Sequence, residues 1–283
     1  MNIGLALSGG GVKGAAHIGV LKALEEENIK INYIGGTSSG SIVATLYAAG
    51  YRPDEIYYIF KKYCKKIKYV DWKNIFKLFF GLITTATIKI DGLNSGKSIK
   101  KLIDKVCIEK NIYNISDIKM PLVVPSVNMT TGEVFCFTSS KIRAFSDNTV
   151  FINDANIGSV VQSSCSFPSV FSPCNFKNCK LVDGGIRENV PWREVKFLGA
   201  DNVISVVFEN EIDNSCCKNL VDVAFRSFEL MGKELSKYEL NGADYLIKIK
   251  SKKVSLLDMN KIDEFYNLGY QETKKFLNKT FRR

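Results

Sequence analysis

The sequence INYIGGTSSGS, residues 31–41, joins an apolar run to the start of a helix-like pattern. Within it, Gly36, Ser38 and Gly40 form the G-x-S-x-G pattern of a nucleophile elbow, in which a serine on a sharp strand-to-helix turn exposes its hydroxyl. Glycines suit this turn because it is too tight for neighbouring side chains. Five such residues also occur together by chance, so the flanking sequence has to support the assignment. It does, and we predict that Ser38 is a nucleophile between a strand and a helix.

Strand-like and helix-like segments alternate on both sides of this turn. A buried strand at residues 2–7 precedes a helix at about 15–27, and the serine turn continues into a helix that Gly50 closes. Further helices are predicted at about 53–67, 97–109, 154–166, 218–240 and from 261, with strands at 121–129, 133–138, 180–182, 202–208 and 244–249. This order predicts an α/β fold, a three-layer sandwich with a central, mostly parallel sheet flanked by helices.

The bulk composition predicts one ordinary globular domain. The chain has 283 residues, 46% hydrophobic and 24% charged, with no repeats or low-complexity linkers. We expect a single domain over 1–283, with the motifs in about 1–210 and C-terminal helices and a strand in 211–283. Neither a secretory signal nor a run of about 20 apolar residues is visible, so we expect a cytoplasmic protein.

The net charge of +10 raises the question of an anionic partner. The lysines are spread over several helices and no nucleic-acid-binding motif is present, which argues against a nucleic-acid partner. Attraction to anionic lipid headgroups fits better, with simple solubility as the alternative.

The eight cysteines form no C-x-x-C pair, and a single histidine cannot complete a Cys/His zinc set. We therefore predict reduced, mostly buried thiols and no metal.

A glycine loop follows the first strand and fits two templates. Gly9, Gly11 and Gly14 match the dinucleotide fingerprint, but that fold needs an acidic residue at the end of the second strand, where the serine turn lies. The loop also does not fit the pattern of a phosphate-binding loop, because no Gly-Lys-Ser/Thr sequence closes it. The alternative is an oxyanion hole, in which backbone N–H groups at a helix start face developing negative charge and Lys13 adds positive potential. Glycines that only form a tight turn remain a further alternative.

The base that would activate the serine is constrained by the histidine count. His17 is the only histidine, so a Ser-His-Asp triad uses it or does not exist. Histidines inside helices usually pack or cap, and a carboxylate acting directly on the serine is the simpler solution. Asp183 is the best candidate because it ends a short strand and is followed by Gly184 and Gly185. An ordinary Asp-Gly surface turn is the competing interpretation.

Together these segments resemble the three ordered motifs of patatin-like phospholipases. The segments that carry the resemblance are residues 9–14, 36–40 and 183–185, supported by 17–21, 163–173 and 189–191. The resemblance extends over about residues 1–210 and is faint beyond. Two positions depart from the family pattern, since Lys13 stands where arginine is common and Gly185 where alanine is common. Neither change affects the expected chemistry.

The resemblance implies hydrolysis of lipid acyl esters by a Ser-Asp dyad without histidine, cofactor or metal. Carried over residue by residue, Ser38 is the nucleophile and Asp183 the general base. The implied oxyanion loop comprises Gly9, Gly10, Gly11, Lys13 and Gly14. The expected partners are the acyl chains of phospholipids or lysophospholipids.

Residues 60–83 combine lysines, among them Lys61, Lys62, Lys65, Lys66 and Lys68, with aromatic and aliphatic side chains. This mixture suits peripheral docking on an anionic membrane, or a lid over an acyl tunnel. A lysine-rich solvated face above core aromatics is the alternative.

Two other classes of function also stay open: a nucleotide-binding protein that uses the glycine loop, and a catalytically idle regulatory or membrane-docking module.

Overall fold

The computed structural model describes residues 1–64, 91–142, 148–210, 220–251 and 258–280. The strands are β1 Ile3–Leu7, β2 Ile31–Gly36, β3 Leu122–Asn128, β4 Val134–Thr138, β5 Thr149–Ile152, β6 Cys174–Phe176, β7 Cys179–Asp183, β8 Asn202–Asn210 and β9 Tyr245–Ser251. The helices are α1 Ala15–Glu26, α2 Ser39–Ala48, α3 Pro53–Cys64, α4 Lys97–Ile108, α5 Ile157–Ser164, α6 Trp192–Phe197, α7 Leu220–Glu239 and α8 Ile262–Thr280.

All of these strands belong to one sheet, whose main order is β5-β4-β3-β2-β1-β8-β9. β1 lies between β2 and β8, and both pairings are parallel. The β3–β4 pair is antiparallel, as a hairpin requires, and β7 adds to β3 in the antiparallel direction. The sheet is therefore mostly parallel, with its antiparallel part next to β3.

Both faces of the central strands are covered, which makes the fold a three-layer sandwich. Leu5 and Leu7 of β1 belong to the larger hydrophobic core, together with α1, α4, α5 and α8. Ala6 points to the other face, where it packs in a second core with Val195 of α6 and Val203 of β8. Strands buried on both faces need continuous apolar sequence, as residues 3–7 provide. The predicted α/β fold class is confirmed.

Most predicted elements are found within a few residues of their expected ends. The predicted helix at 154–166 is shorter and spans Ile157–Ser164. Three elements were missed: the strands β5 and β6 and the helix α6. β5 and β6 are only 4 and 3 residues long, and α6 only 6, too short for a periodic pattern to develop. The C-terminal β9 and α8 join the same sheet and core.

Three remaining expectations concern the membrane and the cysteines. None of the helices in the described parts of the chain is both long and apolar enough to cross a bilayer. Of the predicted docking region 60–83, residues 60–64 lie in α3 and the rest falls outside the described residues. Five cysteines of the described residues are reduced thiols. Four of them are buried (Cys107, Cys136, Cys165 and Cys174), and Cys179 is half-buried.

Candidate active site

Ser38 lies on the turn between β2 and α2, in a conformation that ordinary residues rarely adopt. Its φ of 52° and ψ of −123° place it in a strained region of backbone space. Neither flanking glycine has room for a side chain. A β-carbon at Gly36 would lie 2.4 Å from the carbonyl oxygen of Gly40, and a β-carbon at Gly40 would lie 2.5 Å from the carbonyl oxygen of Leu7. The sequence pattern therefore corresponds to a strained strand-to-helix turn, with the half-buried Ser38 at its apex.

The strained turn is held by hydrogen bonds from the end of α5. The backbone N–H of Ser38 donates to the hydroxyl of Ser164 over 3.0 Å. The Ser38 carbonyl accepts from the hydroxyl of Ser41 (2.6 Å) and from the thiol of Cys165 (3.2 Å). The backbone groups of Ser38 are thus satisfied by neighbours, which leaves its side-chain hydroxyl for chemistry.

Asp183 ends β7, and the fold brings it to this turn. It lies opposite Ser126 in the β3–β7 pairing, and its backbone N–H donates to the carbonyl of Ser166. The side chain is 1% exposed, and its Oδ1 accepts the N–H of Gly185 over 2.8 Å. Gly184 has no room for a side chain, since a β-carbon there would lie 2.5 Å from the carbonyl oxygen of Pro125.

The environment of Asp183 suits a proton acceptor at neutral pH. Burial raises the pKa of its carboxyl to about 7, although hydrogen bonds from the Ser38 hydroxyl and the Gly185 N–H act in the opposite direction. This contribution of the Ser38 hydroxyl is consistent with a Ser-Asp dyad, which itself remains a prediction. Oδ2 of Asp183 has no hydrogen-bond partner among the described residues. A base whose pKa lies near the working pH is the most effective kind.

The glycine loop runs from the end of β1 into α1 and borders Ser38. A β-carbon at Gly9 would lie 3.1 Å from the β-carbon of Ser38. The N–H of Gly9 donates to Oδ1 of Asn189 over 3.0 Å. Within the described parts of the chain, the N–H groups of Gly10 and Gly11 have no protein acceptor. An oxyanion hole needs such unoccupied donors, and its assignment to this loop remains a prediction.

Lys13 and Gly14 occupy the end of the loop, in different roles. Lys13 is 3% exposed, and its ammonium group lies 5.9 Å from the centre of the Phe208 ring. Its ammonium group is therefore held inside the protein near the loop, and the positive potential assigned to it remains a prediction. Gly14 packs on the first turn of α2, where a β-carbon would lie 2.7 Å from that of Ser39.

His17 supports the loop from behind. Its Nε2 lies 2.8 Å from the carbonyl oxygen of Ser8, and because a carbonyl only accepts, Nε2 carries the proton. Burial lowers the pKa of His17 to about 4, against the opposing effect of the Ser8 carbonyl, so the ring is neutral at physiological pH. The ring also packs on Phe208, with 4.9 Å between centroids. His17 therefore fixes Ser8, and its Nε2 is already committed as a donor.

Two contributors to the site had no role in the sequence-based prediction. Ser164 and Asn189 lie in segments that carry the family resemblance, but a single serine in a helix or asparagine in a loop matches no catalytic pattern. Their hydrogen bonds to Ser38 and Gly9 exist only because the fold brings distant segments together. The resemblance of their segments was the only available signal.

A cluster of three acidic side chains lies behind the Asp-Gly-Gly segment. Glu194 and Glu239 are 3% and 4% exposed. Burial raises the pKa of Glu194 well above its usual range, that of Glu188 to about 8 and that of Glu239 to about 7. Each side chain has one carboxyl oxygen without a hydrogen-bond partner among the described residues. Carboxyl groups with such raised pKa values keep protons at neutral pH, and protons shared within the cluster would satisfy these oxygens.

This cluster makes stability pH-dependent, and Glu194→Gln tests it. A glutamate whose pKa is higher in the folded than in the unfolded state stabilises the fold fully below its unfolded pKa. This contribution is lost progressively as pH rises from the unfolded to the folded value. Each unit of pKa difference corresponds to about 1.4 kcal/mol. We expect Glu194→Gln to raise the free energy of unfolding at pH 8 by about 1 kcal/mol or more relative to wild type. Urea titrations at pH 5 and pH 8 measure the difference.

The matched control is Glu133→Gln in the β3–β4 connection, outside the cluster. This variant should follow the wild-type dependence on pH. A Glu194→Gln protein that loses as much stability between pH 5 and pH 8 as the wild type would contradict the shared-proton interpretation.

No group of three or more His, Cys, Asp or Glu side chains in the described part of the chain has a geometry that could hold a metal ion. The absence of a metal and of a cofactor from the mechanism remains a prediction.

Comparison with known proteins identifies related sequences and folds. The Patatin-like phospholipase family model matches residues 5–196. The lysophospholipase NTE1 of Lodderomyces elongisporus is 32% identical over 204 residues, which are 72% of this chain and 12% of that protein. The lysophospholipase NTE1 of Candida albicans is 30% identical over 204 residues, which are 72% of this chain and 13% of that protein. The matched segment is thus about an eighth of these relatives' length.

Two solved structures share the fold at low sequence identity. The structure of VipD from Legionella pneumophila matches with a TM-score of 0.55 and 17% identity, over 98% of this chain and 67% of that one. ExoU, in the ExoU–SpcU complex from the type III secretion system of Pseudomonas aeruginosa, matches with a TM-score of 0.50 and 18% identity. The match covers 100% of this chain and 52% of that one. These likenesses concern the fold alone.

Proposed function

Because the chain belongs to the patatin-like phospholipase family, we propose that it hydrolyses fatty-acyl esters of phospholipids or lysophospholipids through an acyl-Ser38 intermediate. One observation carries the proposal: a strained serine at a strand-to-helix turn lies beside a buried carboxyl, that of Asp183, whose pKa is about 7. The NTE1 relatives are lysophospholipases, which supports a lysophospholipid as one substrate class.

In the proposed acylation step, Asp183 accepts the hydroxyl proton of Ser38 while Oγ attacks the ester carbonyl carbon. The carbonyl oxygen becomes an oxyanion, for which the N–H groups of Gly10 and Gly11 are the available donors. When the tetrahedral intermediate collapses, the bond to the alcohol oxygen breaks. The departing alcohol takes the proton from Asp183, so the carboxylate is regenerated.

In the proposed deacylation step, water replaces the alcohol. Asp183 accepts a proton from water while the water oxygen attacks the acyl carbon of the intermediate. Collapse then breaks the bond to Oγ of Ser38, which recovers the proton. The products are a free fatty acid and the original enzyme, so no external reductant, oxidant or metal enters the balance.

Labelling by a fluorophosphonate probe tests the nucleophile directly. We expect wild type to form a covalent adduct at Ser38, detected by mass spectrometry, and Ser38→Ala to form none. A wild-type protein that resists the probe yet binds anionic vesicles would instead support an idle docking module. Binding of a dinucleotide in calorimetry would support the nucleotide-binding alternative.

His17→Asn tests whether the histidine takes part in proton transfer. The neutral His17, with a pKa of about 4, does not titrate where Asp183 does. We call the range below pH 7, where kcat/KM is expected to fall, the acid limb. We expect His17→Asn to keep the midpoint of the acid limb and to lose less than about tenfold in kcat, far below the loss for a triad member.

Steady-state hydrolysis of a p-nitrophenyl acyl ester between pH 5 and pH 9 gives both quantities, with circular dichroism as the folding control. A large loss of kcat in a fully folded His17→Asn protein would restore the histidine as the base.

Two further parts of the proposal concern the surroundings of the enzyme. Peripheral contact with an anionic membrane through residues 60–83 and a cytoplasmic location both remain predictions from the sequence. The net charge of +10 is consistent with attraction to anionic headgroups.

A further inference from the structure

Residues 188–190 form a short loop that is held by a hydrogen bond at each end. The carbonyl of Glu188 accepts from the hydroxyl of Thr37, the neighbour of the nucleophile, over 2.8 Å. The N–H of Val190 donates to the carboxyl of Glu239 at the end of α7. Between these two anchors lies Asn189. Its backbone is thus tied at one end to the serine turn and at the other to a helix.

The side chain of Asn189 lies between the glycine loop and the Asp-Gly-Gly segment. Its Oδ1 accepts the N–H of Gly9 over 3.0 Å, and the atom must be oxygen because an N–H can only donate. A β-carbon at Gly9 would lie 2.9 Å from this oxygen and 3.1 Å from the β-carbon of Ser38. A β-carbon at Gly185 would lie 3.3 Å from the same oxygen and 3.1 Å from Oδ1 of Asp183. Asn189 is therefore next to both catalytic segments.

This hydrogen bond distinguishes glycines that look equivalent in the sequence. The N–H of Gly9 is occupied by Asn189, whereas those of Gly10 and Gly11 have no protein acceptor in the described parts of the chain. An oxyanion hole works because its donors are held in place before charge develops. A glycine loop is flexible by composition, so it needs an external contact to hold its amides.

We propose that Asn189 is a positioning residue that anchors Gly9 and thereby directs the N–H groups of Gly10 and Gly11 at the oxyanion. The inference rests on the proposed esterase function and deepens it. Asn189 acts through the glycine loop and takes no part in proton transfer.

Asn189→Ala removes the anchor, and Asn94→Ala is the matched control. Asn94 is likewise half-buried, and its Oδ1 accepts the N–H of Gly96 over 2.9 Å, outside the catalytic motifs. We expect Asn189→Ala to lower kcat by about 10- to 100-fold, somewhat less than the loss of a whole oxyanion donor, with KM changed less than about threefold. The rate of fluorophosphonate labelling should fall in parallel. Asn94→Ala should keep the wild-type kcat.

Asn189→Asp tests the placement of residue 189 beside Asp183, whereas the fall of kcat at nearly constant KM in Asn189→Ala tests the anchoring role. Its carboxylate can still accept the N–H of Gly9, but it places a negative charge near Asp183. A like charge raises the pKa of a carboxyl, so the acid limb of kcat/KM should move to higher pH by about half a unit or more. If Asn189→Ala does not fold, an unmoved acid limb in Asn189→Asp would still contradict the placement on which the proposed role depends.

The outcomes separate this inference from the proposed function. Wild-type kcat in a folded Asn189→Ala protein, an equal loss in Asn94→Ala, or an unmoved acid limb in Asn189→Asp would each overturn the role of Asn189 while leaving the esterase function intact. Failure of the wild-type protein to hydrolyse the ester or to be labelled at Ser38 would overturn the proposed function and this inference with it.

Discussion

Replacing Ser38 by alanine is expected to reduce kcat for ester hydrolysis by roughly 10⁴- to 10⁶-fold. The reason is that Ser38 alone supplies the oxygen that forms the acyl-enzyme in the proposed mechanism. Alanine has almost the same backbone preferences as serine, so the strained turn at φ 52° should tolerate it equally well. Single-turnover and steady-state assays with a p-nitrophenyl acyl ester measure the loss.

The neighbouring serine provides a close control. Ser39 is 5% exposed, and its hydroxyl has no hydrogen-bond partner among the described residues. Ser39→Ala should therefore keep kcat within a few-fold of wild type and leave stability unchanged or slightly higher. If Ser38→Ala and Ser39→Ala were equally active, the nucleophile would have to lie elsewhere.

Replacing Asp183 by asparagine should lower kcat by roughly 10⁴-fold, because asparagine has the shape of aspartate but cannot take up a proton. In the wild type, Asp183 must be ionised to act as a base. Since its pKa is about 7, kcat/KM should rise about tenfold per pH unit up to pH 7 and level off above. The pH profile of the wild type and the residual rate of Asp183→Asn test the two halves of this prediction.

Asp183→Asn should stabilise the folded protein at neutral pH, although it lowers the activity. The pKa of Asp183 is about 7 in the folded protein, above the value of about 3.9 for an unfolded aspartate, so the folded state loses stability as pH rises between these values. The loss can amount to about 4 kcal/mol, and Asp183→Asn removes it. Urea titrations at several pH values between 4 and 8 should therefore show a flatter dependence for the variant.

Asp154→Asn, at an exposed carboxyl, is the control for both measurements and should behave as wild type. An Asp183→Asn protein that is folded and retains substantial activity would rule out Asp183 as the base. An unchanged pH dependence of stability would instead contradict the raised pKa.

The two rate predictions depend on different parts of the molecule. The position of Ser38 follows from a local turn, which the glycines at 36 and 40 make sterically feasible. The properties of Asp183 follow from long-range packing, because β7 places it opposite Ser126 and away from water.

The amino-acid sequence alone determined the features that have a local physical cause. Apolar runs of strand length and helical periodicity predicted the alternating order of elements, and hence the α/β class. The strained turn at Ser38 is encoded by five adjacent residues, since steric crowding there excludes side chains at both flanking positions. The single histidine made a conventional triad depend entirely on His17.

The tertiary structure decided everything that depends on which distant groups meet. Burial by the sheet raises the pKa of Asp183, and burial by Phe208 and its neighbours keeps His17 neutral and bonded to Ser8. The bond from Gly9 to Asn189 joins segments at opposite ends of the family domain, and no local pattern encodes it. Desolvation and long-range hydrogen bonding are properties of the packed chain, which is why neither could be predicted from spacing in the sequence.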